Sequence, residues 1–518
     1  MPGAVCFEHV DDLSHILTSK SRTELYHKAI EVGEAVDKGI RELDLQLANK
    51  SVATTNATIG HIIVKQLASK GIEIKIAKSA DDVGIETAAG TRRCAASQNK
   101  RIAKASSRAK RNGKLAKINA GAHKLGPTGT HPQQSYGHVV QGASRSQTYK
   151  MRRNMKLGTN MGGTNSCITS TLAWFYGPRG DPAISLKLDQ IAAWIDKWVS
   201  YDDRTKARTR NMWKRALPRL GLNQESMWSH AKGPISGTIC AVLEIGWKPL
   251  APDRWLAGDL MAIIDGAGFC KAHILGQAQK DISKHLWREA SKHKNSSGLE
   301  DGGILQPAKA AKKSLIKEGN YAAAKAVDFL ICGAIHDPEP KEDGHYKNEH
   351  LCQRCESRLP ASRKHELWEC PANDNIEHPH IAKSKWTVRG ALVGWEKWQG
   401  LYARGILPEA WNQRPPDIDF LEAKVWVSDN FVDTLRKTGF ACSDGAGGPK
   451  DVPKTITQVG FGAVSFDFVP INATDFELHD LACIGGQVPA NRRCPDPNCG
   501  GESRPSSGPT PALMSTSA

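Results

Sequence analysis

The chain has 518 residues, 40% of them hydrophobic and 14 of them tryptophan, which makes it too long for one compact domain and too apolar for full-length disorder. It carries 70 Lys and Arg against 54 Asp and Glu, a formal net charge of +16. No run reaches the ~18 consecutive apolar residues of a membrane span, and acidic residues interrupt the apolar start too early for a signal peptide. The 13 Cys fit reduced thiols or metal ligands better than a disulfide framework. We therefore expect an intracellular protein, in the cytoplasm or nucleus, with no membrane partner.

The first 90 residues are predicted to mix strands with helices. Residues 1–20 predict two strands joined by a tight turn that contains Asp11 and Asp12. The spacing of apolar residues then predicts helices over 21–48 and 58–69 and a short strand over 72–76.

The next two segments are predicted to be mainly helical. Lys and Arg recur at nearly every turn of residues 98–120, with Ala, Ile and Leu between them, which predicts a basic amphipathic helix. Residues 121–170 are rich in Gly, Ser, Thr and Asn and predict loops with short elements. Residues 172–335 predict a helical domain, with runs such as ISLKLDQIAAWIDKWV, GDLMAIIDGAGFCKAHIL and NYAAAKAVDFLICGAI.

The remaining third of the chain changes composition several times. A polar stretch dense in His and Cys is followed by a predicted helix over 382–403, a Pro-rich linker, and β-branched segments that predict antiparallel strands. The final residues lack periodicity and predict a disordered tail. These shifts divide the chain into segments 1–90, 91–170, 171–335, 336–381, 382–423, 424–489 and 490–518.

Two adjacent carboxylates, Asp11 and Asp12, stand at the predicted first turn. Carboxylates at a strand end can hold Mg²⁺, which neutralises the attacking and leaving oxygens in phosphoryl transfer. An Asp-Asp pair also occurs in an ordinary solvated hairpin. The pair alone leaves both interpretations open.

The order of motifs around this pair resembles the later palm motifs of reverse transcriptases of non-LTR-type retroelements. The match runs from FEHVDDLSHIL through a helix and LQLANKSVATTN to SADDVGIET. The resemblance implies that Asp11 and Asp12 are the catalytic Mg²⁺ ligands, that Lys50 is the following Lys motif, and that Val83 and Gly84 form the primer-grip hairpin. The family has Tyr or Phe where this chain has His9.

The family takes a further essential Asp from an earlier strand, far upstream of the Asp pair. The sequence begins at Met1, close to that pair, so the resemblance implies an amino-terminally truncated polymerase. We expect no polymerisation by this chain alone.

The excess positive charge lies in one segment. No carboxylate occurs between Glu86 and Asp181, and residues 87–180 contain 17 Lys and Arg. Such a stripe favours contact with the phosphates of RNA, DNA or an RNA:DNA hybrid, with strong salt dependence and little sequence preference. By the resemblance this is the thumb; a solvated charged helix is the alternative. The predicted contacts are Arg92, Arg93, Lys100, Arg101, Lys104, Arg108, Lys110, Arg111, Lys114 and Lys117.

A zinc site is predicted in the segment HLCQRCESRLPASRKHELWECP. Cys352, Cys355, His365 and Cys370 form Cys-x2-Cys-x9-His-x4-Cys, and a Cys-x2-Cys knuckle presents two thiolates to one ion. With all four positions filled by protein, the zinc would be structural. Surface Cys and His without a ligand are the alternative. The segment is also similar to the one that precedes ribonuclease H in some eukaryotic retroelement polyproteins.

The strands near the carboxyl end resemble the first hairpin of ribonuclease H. In GFACSDGAGG followed by TQVGFGAVSFDF, Asp444 matches the family's Mg²⁺ ligand. The family continues into a helix with a Glu and then two further Asp, whereas this sequence becomes Pro- and Gly-rich. We therefore expect no ribonuclease activity from this chain. All Trp lie between 174 and 426, and core packing is favoured over stacking on bases.

Together these features predict a multidomain α+β protein with a truncated palm and thumb, a helical connection with a zinc knuckle, and a partial ribonuclease H-like sheet. The function that the resemblance implies is a nucleic-acid-binding fragment of a retrotransposon polyprotein. It would be related to RNA-directed DNA polymerase and RNA:DNA hybrid ribonuclease H. A non-enzymatic, zinc-containing nucleic-acid-binding protein is the alternative.

Overall fold

Helices and small sheets together make up the described chain, which agrees with the predicted mixed α+β class. The computed structural model describes residues 4–9, 12–55, 58–82, 84–90, 92–161, 166–221, 226–264, 270–335, 351–352, 354–355, 359, 361–385, 387–412, 426–427, 441–446, 459–470 and 476–488. The chain divides into two compact units, Met1–Pro408 and Glu409–Ala518. Asp11 and the predicted tail over 490–518 lie outside the described residues.

The first unit opens with an antiparallel hairpin, as predicted. Its strands are β1 (Ala4–His9) and β2 (Asp12–Leu17), and His9 pairs with Asp12. The elements that follow are α1 (Arg22–Glu42), β3 (Val52–Ala53), α2 (Gly60–Ser69), β4 (Lys75–Ile76), β5 (Ala80–Asp82) and β6 (Ile85–Thr87). The strand predicted over 72–76 is therefore confined to its last two residues.

The prediction of loops over 121–170 is wrong, because most of that stretch is helical. The long basic helix α3 (Ala96–Ile118) leads into α4 (His131–Ser135), α5 (His138–Gln141), α6 (Arg145–Leu157) and α7 (Ile168–Tyr176). A capping box begins α6, in which Ser144 and Gln147 each bond the backbone N–H of the other. Met151 and Met155 are fully buried on the same face of α6, and burial outweighs the polar composition of the stretch.

The middle of the unit is helical with one sheet inserted. Its elements are α8 (Pro182–Ser200), α9 (Asp203–Gly221), α10 (Met227–His230), α11 (Gly233–Glu244), β7 (Lys248–Ala251), β8 (Arg254–Ala257), β9 (Leu260–Ile263) and α12 (Lys271–Ser291). The helix predicted through GDLMAIIDGAGFCKAHIL is wrong over its first half, which forms the edge strand of the antiparallel sheet β7-β8-β9. Gly258, at φ +62°, makes the turn before β9, and this conformation favours glycine.

Tryptophans build the main core of this unit, as predicted. Trp194, Trp198, Trp213 and Trp255 are all at most 4% exposed. The indole N–H of Trp194 donates to the Pro252 carbonyl at 2.8 Å, which satisfies the polar edge of a buried ring. These rings are therefore unavailable for stacking on bases.

Trp174 and Trp287 belong to a second core, and the unit ends in a series of further elements. They are β10 (Gly303–Ile304), α13 (Gln306–Lys317), α14 (Tyr321–Cys332), α15 (Pro379–Ser384), α16 (Thr387–Gly394), α17 (Gln399–Tyr402) and β11 (Leu407–Pro408). The single helix predicted over 382–403 is broken into several. No helix of the described residues has the length and apolar character needed to cross a bilayer.

The second unit contains the antiparallel strands that the sequence predicts. They are β12 (Trp426–Val427), β13 (Ala441–Ala446), β14 (Val459–Pro470) and β15 (Phe476–Val488), in the sheet order β12-β15-β14-β13. Asp444 lies in β13 and pairs with Gly462 of β14.

Candidate metal centre and nucleic-acid interface

The four predicted zinc ligands lie together. The sulfur atoms of Cys352, Cys355 and Cys370 and one ring nitrogen of His365 are all within 4.8 Å of one another. The Sγ atoms of Cys352 and Cys370 are 3.8 Å apart, and Cys355 Sγ is 3.3 Å from His365 Nε2. These residues could bind a metal ion such as zinc.

Backbone hydrogen bonds hold the ligands in place. The N–H of Cys352 donates to the Leu359 carbonyl at 2.9 Å, which closes the knuckle loop. His365 begins a π-helical turn, His365–Glu369, and its carbonyl accepts from the N–H of Cys370 at 2.8 Å. π-helical turns are rare in proteins overall, and those that do occur are frequently found at functional sites. The wide π-helical turn brings His365 and Cys370, the two ligands that follow the knuckle, close to each other.

Arg354, the Arg of the Cys-x-Arg-Cys knuckle, joins the two halves of the cluster. Its guanidinium donates to the Glu366 carbonyl at 3.1 Å and to Asn373 Oδ1 at 2.7 Å. The Asn373 side chain in turn donates to the Glu366 carbonyl at 3.2 Å. The knuckle and the π-helical turn are therefore linked without any metal.

One distance in the cluster has the value that a tetrahedral zinc ion requires. Zn–S bonds of about 2.3 Å place two thiolates about 3.8 Å apart at tetrahedral angles, and the distance between Cys352 and Cys370 has that value. Burial, followed by the neighbouring thiols of Cys352 and Cys355, raises the pKa of the Cys370 thiol. Since thiolates are the metal ligands, zinc would displace protons here. Nδ1 of His365 has no hydrogen-bond partner among the described residues.

The predicted magnesium ligands supply no described pair of carboxylates. Asp12 begins β2, Asp11 lies outside the described residues, and Asp444 lies in the other unit. Lys50 is exposed. A magnesium site stays a prediction.

The basic helix α3 has two distinct faces. Ile102, Ala105, Ala109 and Ala116 are buried on one face. The opposite face carries the exposed bases Lys100, Lys104, Arg111 and Lys114, with Lys110 and Lys117 beside them. In the described part of the chain, no carboxylate pairs with these six bases.

Three of the ten predicted phosphate contacts already have partners within the protein. Arg93 donates to the Gly142 carbonyl at 2.6 Å and lies 5.7 Å from the Trp228 ring, and burial lowers its pKa to about 10. Arg101 donates to the Gly84 carbonyl, and Arg108 to the Gly129 carbonyl at 2.9 Å. Arg101 and Arg108 therefore attach α3 to its neighbours, and Arg93, which precedes α3, is held by Gly142. The exposed Arg92 and the six exposed bases of α3 remain accessible. The side of α3 that carries these six bases is called its outer face: Lys100, Lys104, Lys110, Arg111, Lys114 and Lys117.

Two further basic surfaces, which the sequence predictions did not include, lie on α9 and α13. Helix α9 carries the exposed bases Arg204, Arg208, Lys214, Arg215 and Arg219, and α13 carries Lys309, Lys313 and Lys317. Charge counted over the whole chain concealed them, because the residues outside 87–180 have nearly equal numbers of acids and bases. Charge counted helix by helix would have found both.

Comparisons with known proteins add no relative: no protein-family model matches the chain, and no curated protein or solved structure matches it.

Proposed function

We propose that the outer face of α3 binds the phosphate backbone of a nucleic acid. We also propose that the Cys3His cluster holds a structural zinc ion. The observation that carries the proposal is the row of exposed bases Lys100, Lys104, Arg111 and Lys114 opposite the buried face of α3. Solvated helices usually alternate charges of both signs, which pair at i,i+4. This helix contains no acid.

The row has a length suited to a nucleic-acid backbone. Lys100 and Lys114 are 14 residues apart, about 21 Å at 1.5 Å per residue. One strand of a duplex presents a phosphate about every 3.4 Å along its axis, so the row covers about six phosphates. Ammonium and guanidinium groups on phosphates carry no sequence code, so we expect little sequence preference.

The zinc ion would stabilise the small module around residues 351–385. The buried cluster there consists mainly of Cys352, Ala361 and Cys370, which is too little apolar surface to fold such a segment. Structural zinc contributes about 10–16 kcal/mol of apparent binding energy in zinc-finger peptides at neutral pH. With four protein ligands no position is open for substrate, so the ion would have no catalytic role.

A matched pair of variants tests the nucleic-acid proposal. One variant carries Lys100→Ala, Lys104→Ala, Arg111→Ala and Lys114→Ala; the control carries Arg204→Ala, Arg208→Ala, Lys214→Ala and Arg215→Ala. Both lose the same charge from exposed helix positions. In titrations of an RNA:DNA duplex, we expect the α3 variant to bind at least about tenfold more weakly and the α9 control less than about threefold more weakly. Equal losses would show attraction by net charge alone, and the proposal would fail.

A second function, a fragment of a retroelement polymerase and ribonuclease H, is favoured by the topology of the second unit. Its strands β13, β14 and β15 form an antiparallel meander that begins with the strand of Asp444, the order that the resemblance implies. In this proposal Asp11, Asp12 and Asp444 are Mg²⁺ ligands. The nucleotide sequence on either side of the coding region tests it. In-frame segments encoding a further palm Asp and a ribonuclease H helix support the fragment, and their absence counts against it.

A further inference from the structure

A cleft of about 610 Å³ lies away from the outer face of α3, between the carboxyl end of that helix, α7, α13 and α14. One side is aromatic and is formed by His123, Trp174 and Phe175. The other side is basic. Its ammonium groups belong to Lys309, Lys312, Lys313, Lys317 and Lys325.

The charge in the cleft is poorly balanced. Among the residues that line the cleft, Asp328 supplies the single carboxylate, and it is 4% exposed. It accepts from Trp174 Nε1 at 2.7 Å and from Lys312 Nζ at 2.5 Å, and Lys325 Nζ lies 4.0 Å away. Within the described residues, Lys309, Lys313 and Lys317 have no carboxylate partner.

These three lysines lie on one face of α13 at intervals of four residues. Like charges at i,i+4 destabilise a helix. Helix α13 has no fully buried residue, and its Ala308 packs against the second core only partly buried. An anionic ligand in the cleft would relieve the repulsion between the lysines.

The aromatic side suits a flat ring next to that anion. Phe175 is half-buried, its ring centroid lies 5.3 Å from that of His123, and Lys312 Nζ lies 6.0 Å from the Phe175 ring. The volume falls within the roughly 300–1,000 Å³ of pockets that hold small molecules. Aromatic faces stack on nucleobases, and lysines bind phosphates as point charges.

We propose that this cleft binds a nucleotide, with its base against Phe175 and His123 and its phosphates on Lys309, Lys313 and Lys317. The ligand is either a free nucleotide or the 5′-phosphorylated end of a single strand. The proposal goes beyond backbone binding by α3 and does not depend on it, because none of the outer-face bases of α3 lines the cleft.

The test uses the full chain, with ATP, inorganic phosphate and oligothymidine with or without a 5′-phosphate as probes in calorimetric titrations. The cleft variant carries Lys309→Ala, Lys313→Ala and Lys317→Ala, all at exposed positions, and a second variant carries Phe175→Leu. The control carries Arg204→Ala, Arg208→Ala and Lys214→Ala, which removes the same charge from exposed positions of α9. Circular dichroism checks that each variant is folded.

We expect the cleft variant to weaken binding of ATP, of the 5′-phosphorylated strand or of both by at least about tenfold, Phe175→Leu by about three- to tenfold, and the control by less than twofold. Preference for ATP identifies a free nucleotide, and preference for the 5′-phosphorylated over the 5′-hydroxyl strand identifies a strand end. The proposal is overturned if neither probe binds, if phosphate binds as tightly as ATP, or if the α9 control loses as much affinity as the cleft variant.

Discussion

Asp181 shows how one residue can serve two structural purposes. Its carboxylate accepts from Arg152 Nε and Nη2, each at 2.8 Å, and also caps α8 through the backbone N–H of Ala183 at 2.9 Å. Both partners of the ion pair are buried. A buried charge is tolerated only when it is paired and hydrogen-bonded. Arg152, although it belongs to the acid-free segment, is therefore not available to a phosphate.

Breaking this pair tests its structural role. We expect Asp181→Ala to lower the free energy of unfolding by about 3–5 kcal/mol, because it leaves an uncompensated buried guanidinium. The control is Asp196→Ala, which removes an exposed ion pair with Lys271 and should cost at most about 1 kcal/mol. Urea unfolding measures both. Similar losses of unfolding free energy in the two variants would contradict a structural role for the Arg152–Asp181 pair.

Histidine burial makes the stability of the fold depend on pH. Burial, and then the nearby His138, lower the pKa of His131 below its ordinary value of 6.5. His131 Nε2 lies 3.2 Å from Ser185 Oγ, in a site that offers little solvation to a charged ring. Between the folded pKa and 6.5 the unfolded chain binds more protons than the folded one, so stability is lost as the pH falls through that window.

We therefore expect the urea midpoint to fall between pH 7 and pH 5, and His131→Gln to reduce that fall. Burial also lowers the pKa values of His285 and His293, so part of the fall remains in the variant. The exposed His230→Gln is the control and should leave the slope unchanged. An identical slope in the His131 variant would show that this ring does not contribute.

At the scale of the element, the Cys3His cluster depends on the knuckle and the π-helical turn being held together. The indole N–H of Trp368, inside that turn, donates to the Tyr402 carbonyl at 3.0 Å, and the two rings are packed edge to face. The cluster is thereby attached to α17. We therefore expect loss of the metal to destabilise the chain from the ligands as far as α17.

We expect the purified chain to contain one equivalent of zinc and Cys370→Ser to contain well under half an equivalent. Chelation should make residues 351–412 sensitive to limited proteolysis, because folding of this stretch is coupled to metal binding. Cys270→Ser, at an exposed cysteine outside the cluster, should keep its zinc. A chain without zinc, or equal zinc in both variants, would rule out the site.

Helices with strong apolar periodicity could be predicted from the sequence, and so could the ligand set of the cluster. The run that forms α8 buries Ile191, Trp194, Ile195 and Trp198 with helical spacing, which the pattern alone reveals. The capping box at Ser144 could have identified α6, but polar residues around Met151 hid its buried face. Strand β9 could not be distinguished from a helix, since a short apolar run fits both.

At the scale of the whole molecule, the net charge of +16 does not measure the surface available to nucleic acid. Which bases face outward depends on tertiary contacts. Arg101 and Arg108 have the same sequence context as Lys104 and Arg111, yet they bond carbonyl groups from other parts of the chain, as does Arg93 just before the helix. No sequence pattern specifies those carbonyls. The prediction of the basic segment therefore identified the helix correctly but could not separate its exposed bases from its structural ones.

The salt dependence of nucleic-acid binding is the most direct test of phosphate contact by the outer face of α3. Each phosphate neutralised in a duplex contributes about −0.9 to the slope of log affinity against log salt concentration. For the full chain on an RNA:DNA duplex, we predict a steep negative slope that becomes shallower by about 3 to 4 when Lys100, Lys104, Arg111 and Lys114 are replaced by Ala. An unchanged slope in that variant, or a flat slope in the unaltered chain, would contradict backbone binding by the outer face of α3.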